Sequence, residues 1–361
     1  MLNKFLTITL CASVLAFTSC SKDDEPGEAI KIVIEGASIA PNVGGPNEPN
    51  QVYVDLSSNT STVVQRDTWD LGFSSGENFR VVLNGSIYMA TAKLSVTDID
   101  AINSTSQEIK DLQPQVAIGT FNPANSEFVD APDGNILETA IDEISSTDAN
   151  NPVYLVNLGF KVGTEVPGTG SVAVSGDSRG WKKVRILRNG DDYVLQYADL
   201  DDTTHKEVTI SKSGDYNFTF FSFDTETEVN VEPKKENWDL NFTVFTNEIE
   251  GYGSYGYSDF VVNNTKANSQ VYMIDTEVET DLNYDNFTLA NVDASKFIND
   301  QRGVGSSWRN GGGPGALPSL KDNVFYVMSD TDGNLYKIKF LALTNADGER
   351  GNPEFVYSLL Q

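Results

Sequence analysis

Residues 183–197 read KVRILRNGDDYVLQY, and this stretch decides the fold class. Apolar and polar side chains alternate on both sides of its centre, which is the period-two pattern of strands with one buried face. The centre, Asn189 to Asp192, is rich in residues that tolerate the positive φ angles of tight turns. The stretch therefore predicts an antiparallel β-hairpin.

The same pattern recurs along the whole chain. Helical periodicity is limited to short candidates at residues 293–298 and within 136–144, and turn signals occur at Asn84-Gly85 and at residues 331–334. We therefore expect an all-β protein made of antiparallel sheets with very little helix. The other alternating segments are residues 52–56, 79–83, 207–210 and 336–340.

The length and an internal repeat suggest two domains. The chain has 361 residues, about twice the usual length of one domain. A Trp-Asp-Leu-x-Phe box occurs at residues 69–73 and again at 238–242, each time after a predicted hairpin. We predict two related β domains, residues 31–212 and 213–361.

The N-terminal residues resemble an export signal. Lys4 and the apolar residues 6–17, too few to span a bilayer, predict a signal peptide over residues 1–19. Cys20 follows two small residues, as in bacterial lipoproteins, so we expect it to carry a lipid anchor and residues 20–30 to form a tether. Residues 21–25 resemble the lysine-plus-acidic signal of Bacteroidota lipoproteins, which predicts the outer membrane and its extracellular face. Alternatively, residues 21–25 are only a charged, solvated tether and not an export signal.

Composition excludes several classes of function. The chain has 52 acidic and 25 basic residues and a net charge of −27, which argues against nucleic-acid binding. Its two cysteines are Cys11 and Cys20, so no disulfide is expected in the mature monomer. With His205 as the one histidine, in a polar turn, neither a histidine zinc site nor a Ser-His-Asp triad is expected. We therefore predict a protein that is not an enzyme.

The C-terminal half carries an ordered series of motifs that resembles the HmuY family of Bacteroidota surface lipoproteins. Residues 50–94 and 181–197 resemble the same pattern, so the N-terminal half is interpreted as a diverged copy. The resemblance implies an all-β, haemophore-like protein that binds haem or a porphyrin as a ligand. It also implies transfer to a TonB-dependent outer-membrane receptor for iron acquisition. The motifs are residues 216–223, 229–231, 238–240, 260–263, 307–308, 325–327, 332–340 and 355–357.

The chain departs from the family at the expected haem ligands. Haem binding in the best-known member resembles a two-histidine clamp, in which one histidine comes just before a Gly-Pro. The residue at that position in this chain is Gly312. No metal site is therefore firmly predicted. Met89 and Met273 remain candidates for the haem iron because methionine can ligate it. Both methionines also fit a core-filling role.

Residues 251–258 interleave glycine with Tyr252, Tyr255 and Tyr257. Flat aromatic faces on a pliant loop can stack on a porphyrin or a sugar ring. Together with Arg309 and the glycine loop 311–315, these tyrosines form the predicted ligand cleft, although they can equally pack on a sheet. Two functions stay open: a haem- or porphyrin-binding surface lipoprotein, or an accessory surface module that binds a glycan or a protein after haem binding was lost.

Overall fold

The computed structural model describes residues 33–313 and 316–361. The predicted signal peptide, Cys20 and the whole predicted tether lie outside the described residues. One α-helix of six residues, α1 (Gln107–Leu112), and short 3-10 turns accompany twenty-two strands in the part of the chain described. No helix there is long and apolar enough to cross a membrane. The predicted all-β fold is confirmed.

The strands fall into antiparallel sheets throughout the described ranges. Their bounds are β1 (Gly36–Ile39), β2 (Asn50–Asp55), β3 (Thr60–Gln65), β4 (Leu71–Ser74), β5 (Val81–Leu83), β6 (Ala90–Lys93), β7 (Val153–Asn157), β8 (Phe160–Val162), β9 (Ser175–Ser178), β10 (Trp181–Asn189), β11 (Asp192–Asp199), β12 (Lys206–Ile210), β13 (Phe218–Ser222), β14 (Thr227–Val229), β15 (Leu240–Ile249), β16 (Gly253–Asn263), β17 (Gln270–Asp275), β18 (Arg309–Asn310), β19 (Ser319–Leu320), β20 (Val324–Ser329), β21 (Leu335–Thr344) and β22 (Arg350–Leu359). The 3-10 turns are Gly85–Ile87, Ile99–Ala101, Pro123–Phe128, Asp148–Asn150, Thr265–Ala267, Leu289–Asn291 and Ala294–Lys296.

The hairpin predicted over residues 183–197 is confirmed as β10 and β11. Ile186 lies opposite Leu195, and the strands close through Gly190, whose φ of 63° favours glycine. The two helical candidates differ from the prediction. Residues 136–144 contain no helix, and residues 293–298 contain only the 3-10 turn Ala294–Lys296, which the Asp293 side chain caps.

Asn84-Gly85 is not a hairpin turn. The Asn84 side chain accepts a hydrogen bond from the Ser86 N–H and donates to the carbonyls of Arg66 and Trp69, both at 2.7 Å. It thereby starts the 3-10 turn Gly85–Ile87, which carries the chain from β5 into a different sheet. Asn-Gly favours positive φ locally, but here the buried side chain of Asn84 sets the conformation.

Two five-stranded sheets have similar layouts. One has the order β12-β11-β10-β7-β6, and the other has the order β1-β22-β21-β20-β17. In the second sheet β1, from the beginning of the described chain, occupies the edge that β12 occupies in the first. Separate apolar clusters cover them, one around Phe73, Tyr193 and Phe221 and one around Trp308 and Phe355.

Two four-stranded sheets combine strands from both halves of the sequence. The hairpin β2–β3 pairs with β15, and the hairpin β13–β14 pairs with β4. Each hairpin thus pairs with the strand of the Trp-Asp-Leu box in the opposite half. Val33–Gln361 is one compact unit. The boundary predicted at residues 212 and 213 lies inside this unit.

Candidate functional site

The tyrosine-rich segment forms the turn and the start of the long hairpin β15–β16. Tyr252 lies in the turn, whereas Tyr255 and Tyr257 lie on β16. Gly253 has a φ of 84°, and a Cβ there would lie 2.2 Å from the Asn125 side-chain oxygen. The glycine is required because the turn rests directly on residues 122–125.

Phe121 joins the tyrosines on the surface. Its ring centroid lies 5.7 Å from that of Tyr255 and 6.5 Å from that of Tyr252, and the centroids of Tyr255 and Tyr257 are 5.9 Å apart. Phe121 is 62% exposed, Tyr252 57% and Tyr255 38%. We call Phe121, Tyr252, Tyr255 and Tyr257 the aromatic cluster. The structure thus brings the three predicted tyrosines together, with Tyr252 and Tyr255 exposed and Tyr257 partly buried.

Sequence reasoning missed Phe121. It lies in an irregular segment between α1 and the turn Pro123–Phe128, where neither helical nor strand periodicity marks a functional side chain. Its φ of 55° is unusual for a bulky residue. That conformation holds the ring outward, beside the tyrosines.

Arg309 does not join the aromatic cluster's exposed face. The side chain is 9% exposed, its Nη2 donates to the Ser258 carbonyl, and its Nε lies 3.7 Å from the Asp259 carboxylate. Arg350 binds the same carboxylate, and Glu48 accepts from the Asp259 N–H. Burial raises the pKa of Glu48 well above its usual range. Arg309 is therefore part of an internal charge network below β16.

The two candidate methionines lie apart. Met89 is 1% exposed and packs in the core with Phe73 and Tyr193. Met273 is 40% exposed and lies on β17, in the other five-stranded sheet. The structure therefore does not bring them together as two ligands of one metal.

The remaining haem-related positions are also separate. His205 lies 3.0 Å from the carboxylate of Asp100. Gly312 has a φ of 78°, and a Cβ there would lie 3.0 Å from the Ala316 carbonyl oxygen, so the loop as folded favours glycine. Residues 314 and 315 of the predicted glycine loop lie outside the described residues. Within the described ranges, no group of three or more His, Cys, Asp or Glu side chains could hold a metal ion.

A cavity of about 180 Å³ lies where the two four-stranded sheets meet, and sequence analysis did not find it. Both tryptophans of the repeated boxes, Trp69 and Trp238, line it, as do Tyr53 and Phe220. Tyr53 packs edge-on against Trp238 at 5.1 Å, and Phe220 packs likewise against Trp69 at 4.8 Å. We call it the seam cavity, because its walls come from both halves of the chain.

The two tryptophans differ in hydrogen bonding. The indole N–H of Trp69 donates to Gln51 at 2.9 Å. The indole Nε1 of Trp238, in contrast, is buried with no hydrogen-bond partner in the described protein. The side-chain oxygen of Asn241, on β15, is likewise buried and without a partner there. Both residues line the seam cavity and are 7% exposed.

Three ionisable groups also line the seam cavity. Glu232 accepts from the N–H groups of Asn217 and Phe218, and Asp130 from those of Leu83 and Ala140. Desolvation raises the pKa of Glu232 to about 7 and that of Asp130 to about 6.

Lys266 is the cationic member of the seam cavity. It is exposed as a residue, yet protein atoms surround its ammonium group, and this desolvation lowers its pKa in spite of the nearby Glu232 and Asp130. Its Nζ lies 3.3 Å from the Gly134 carbonyl and 5.5 Å from the Phe218 ring centroid. The cavity wall thus combines aromatic faces with a mixed polar lining, an arrangement suited to binding a small polar molecule.

Comparisons with known proteins give one family. The model of the HmuY family, described as "HmuY protein", matches residues 47–357. Apo PinO from Porphyromonas gingivitis is similar in structure at 17% identity, over 49% of this chain and 94% of that one, with a TM-score of 0.21. The apo HmuY analog of Tannerella forsythia is 12% identical over 91% and 98%, with a TM-score of 0.25. Similarity at this level carries no information about a ligand. No curated protein matches the chain.

Proposed function

Because this chain belongs to the HmuY family, we propose that it is a lipid-anchored surface protein that binds haem or a porphyrin without catalysing a reaction. The family is haemophore-like and not a family of enzymes. The matched region, residues 47–357, contains strands from both halves of the chain.

The aromatic cluster is the observation that carries this proposal. Phe121, Tyr252 and Tyr255 are exposed, the Phe121 ring lies 5.7–6.5 Å from the two tyrosine rings, and such faces stack on a flat macrocycle. Tyrosine oxygen is also an established axial ligand of haem iron. The cluster can therefore supply both stacking and a ligand in a chain whose family histidine position is Gly312.

The lipid anchor is proposed from the N-terminal residues and the recipient from the family resemblance. Lipidation of Cys20 would hold the protein at the outer membrane, and the charged residues 21–25 would direct it to the extracellular face. A TonB-dependent outer-membrane receptor would then take the ligand. A site on an exposed hairpin suits this transfer, because the bound macrocycle stays accessible to the receptor.

A titration of the lipid-free chain after Cys20 with ferric haem tests the proposal. Saturable binding with a defined Soret band is expected. Tyr252→Phe and Tyr255→Phe each keep the aromatic ring and remove the hydroxyl. If one of these hydroxyls ligates the iron, the variant that lacks it should lose the spectrum of ligated haem. Tyr216→Phe, outside the cluster, is the matched control.

Metal-free protoporphyrin separates stacking from ligation. The Tyr→Phe variants should still bind it, whereas Phe121→Ala combined with Tyr252→Ala should weaken its binding at least about tenfold, since each lost stacking contact costs about 1 kcal/mol. A broad, non-saturating haem spectrum in the wild type would contradict the proposal. That result would favour the accessory module that binds a glycan or a protein.

A further inference from the structure

We propose that the seam cavity is a binding site for a small neutral polyhydroxylated molecule of monosaccharide size. It shares no lining residue with the aromatic cluster, so this activity would be additional to haem binding. The argument rests on the cavity's size, its aromatic wall and its unpaired hydrogen-bonding groups.

Size limits the ligand. The cavity of about 180 Å³ is much larger than the roughly 30 Å³ that one water molecule occupies in liquid. It is smaller than the roughly 300–1,000 Å³ pockets that hold drug-sized ligands, so a porphyrin does not fit. A single six-membered ring with its substituents has a volume of the right order for this cavity.

The aromatic wall suits the C–H face of such a ring. Tyr53, Trp69, Phe220 and Trp238 line one side of the cavity, and their edge-on packing fixes the ring orientations. Aromatic side chains present an electron-rich face that attracts the slightly positive C–H groups of a sugar. A wholly apolar ligand would satisfy this wall but leave the buried polar groups of the cavity unpaired.

Those polar groups need a partner that both accepts and donates. The Trp238 Nε1–H is a donor only, and the Asn241 side-chain oxygen is an acceptor. Both are buried, and neither has a partner within the described protein. An unpaired buried group costs about 1–3 kcal/mol. A hydroxyl group accepts and donates, so neighbouring hydroxyls on one ring can satisfy both.

The charges around the cavity favour a neutral ligand. When ionised, Glu232 and Asp130 repel an anion, and Lys266 repels a cation. Each carboxyl group already accepts two backbone N–H groups, which keeps it in place without a bound ion. Their remaining capacity can accept hydrogen bonds from hydroxyls.

Two-dimensional NMR of the indole N–H groups tests the proposal directly in the wild-type chain. The four tryptophans give four signals, and the missing signal in Trp238→Phe assigns that residue. The probes are D-glucose, D-galactose, L-fucose and N-acetyl-D-glucosamine, each titrated to about 50 mM, which detects millimolar binding. At least one should shift the Trp238 signal saturably. The Trp308 indole, also buried and unpaired but outside the cavity, should not move.

Variants then locate the site. Asn241→Leu should weaken the binding of that sugar at least about fivefold, because one hydrogen bond contributes about 1 kcal/mol. Trp308→Phe makes the same change as Trp238→Phe at a distant unpaired indole, so it should leave the affinity unchanged. If no probe shifts Trp238, or if Asn241→Leu binds as the wild type does, the proposal is wrong. Haem binding at the aromatic cluster would be unaffected by either result.

Discussion

Asp70 and Asp239 each bind the backbone of the opposite half of the chain. The Asp70 carboxylate accepts from the Phe223 N–H at 2.6 Å, and the Asp239 carboxylate accepts from the Leu56 N–H at 2.8 Å. Both aspartates belong to the repeated box, and both donor N–H groups lie just after the first hairpin strand contributed by the other half. The box therefore holds the exchanged hairpins in place.

Removing one of these carboxylates should destabilise the whole unit. Asp239→Ala leaves the N–H groups of Leu56 and Thr331 without their acceptor, and we expect a loss of about 2–5 kcal/mol in the free energy of unfolding. Chemical denaturation measures it. Asp215→Ala breaks only an exposed ion pair with Lys234 and should leave the free energy of unfolding nearly unchanged. Equal losses in the two variants would contradict this role for Asp239.

The interlaced sheets should unfold together. Trp69 and Trp238 are both buried in one cluster that contains residues of both halves. Trp69→Ala and Trp238→Ala should each lower the free energy of unfolding by about 3–5 kcal/mol. Differential scanning calorimetry should show a single transition in both variants. Two separated transitions, with only one moved by each substitution, would instead support independent halves.

Stability should fall as the pH rises through neutrality. Burial raises the pKa of Glu232 and of Asp239 to about 7, against about 4 in an unfolded chain. Between about pH 4 and pH 7 the folded protein holds protons that the unfolded chain has released, so stability decreases with pH and levels off above 7.

Thermal unfolding at pH 5 and pH 8 measures this effect. We expect the wild-type Tm to drop by roughly 3–6 °C, and Asp239→Asn combined with Glu232→Gln to show a smaller drop. Repulsion within the negatively charged chain also lowers stability as the pH rises, so the comparison with the variant isolates the effect of the two buried groups. An identical drop in wild type and variant would exclude them as the cause.

Met89 and Met273 should behave differently on truncation. Met89 is fully buried, and Met89→Ala should cost about 2–5 kcal/mol in the free energy of unfolding, because it leaves a cavity. Met273 is 40% exposed, so Met273→Ala should cost less than about 1 kcal/mol. Denaturation curves measure both. A stable Met89→Ala variant that loses haem binding would restore Met89 as an iron ligand.

Local patterns in the sequence were sufficient for the strands but not for their partners. Alternation identifies β10 and β11, and Gly190 fixes their turn, because residues close in the chain decide a hairpin. The pairing of β2 with β15 joins residues nearly two hundred positions apart. Period-two alternation does not show whether β2 pairs with β15 or with a strand of its own half.

The candidate sites, too, could be predicted only in part from the sequence. The tyrosines of residues 251–258 stand out in the sequence, whereas Phe121 becomes part of their cluster only because the turn Pro123–Phe128 packs under Gly253. Arg309 was predicted beside them and lies in the interior instead, since Asp259 and the Ser258 carbonyl provide it with buried partners.

The sequence by itself determined an all-β chain with tight hairpins, because these depend on side-chain period and local turn chemistry. It also carries the repeated Trp-Asp-Leu-x-Phe box and matches the model of the HmuY family. Only the tertiary structure decided that the halves exchange hairpins and that Trp69 and Trp238 face a common cavity. The physical reason is that each box completes its sheet and its hydrogen bonds with backbone from the other half, and such long-range partners leave no local signature.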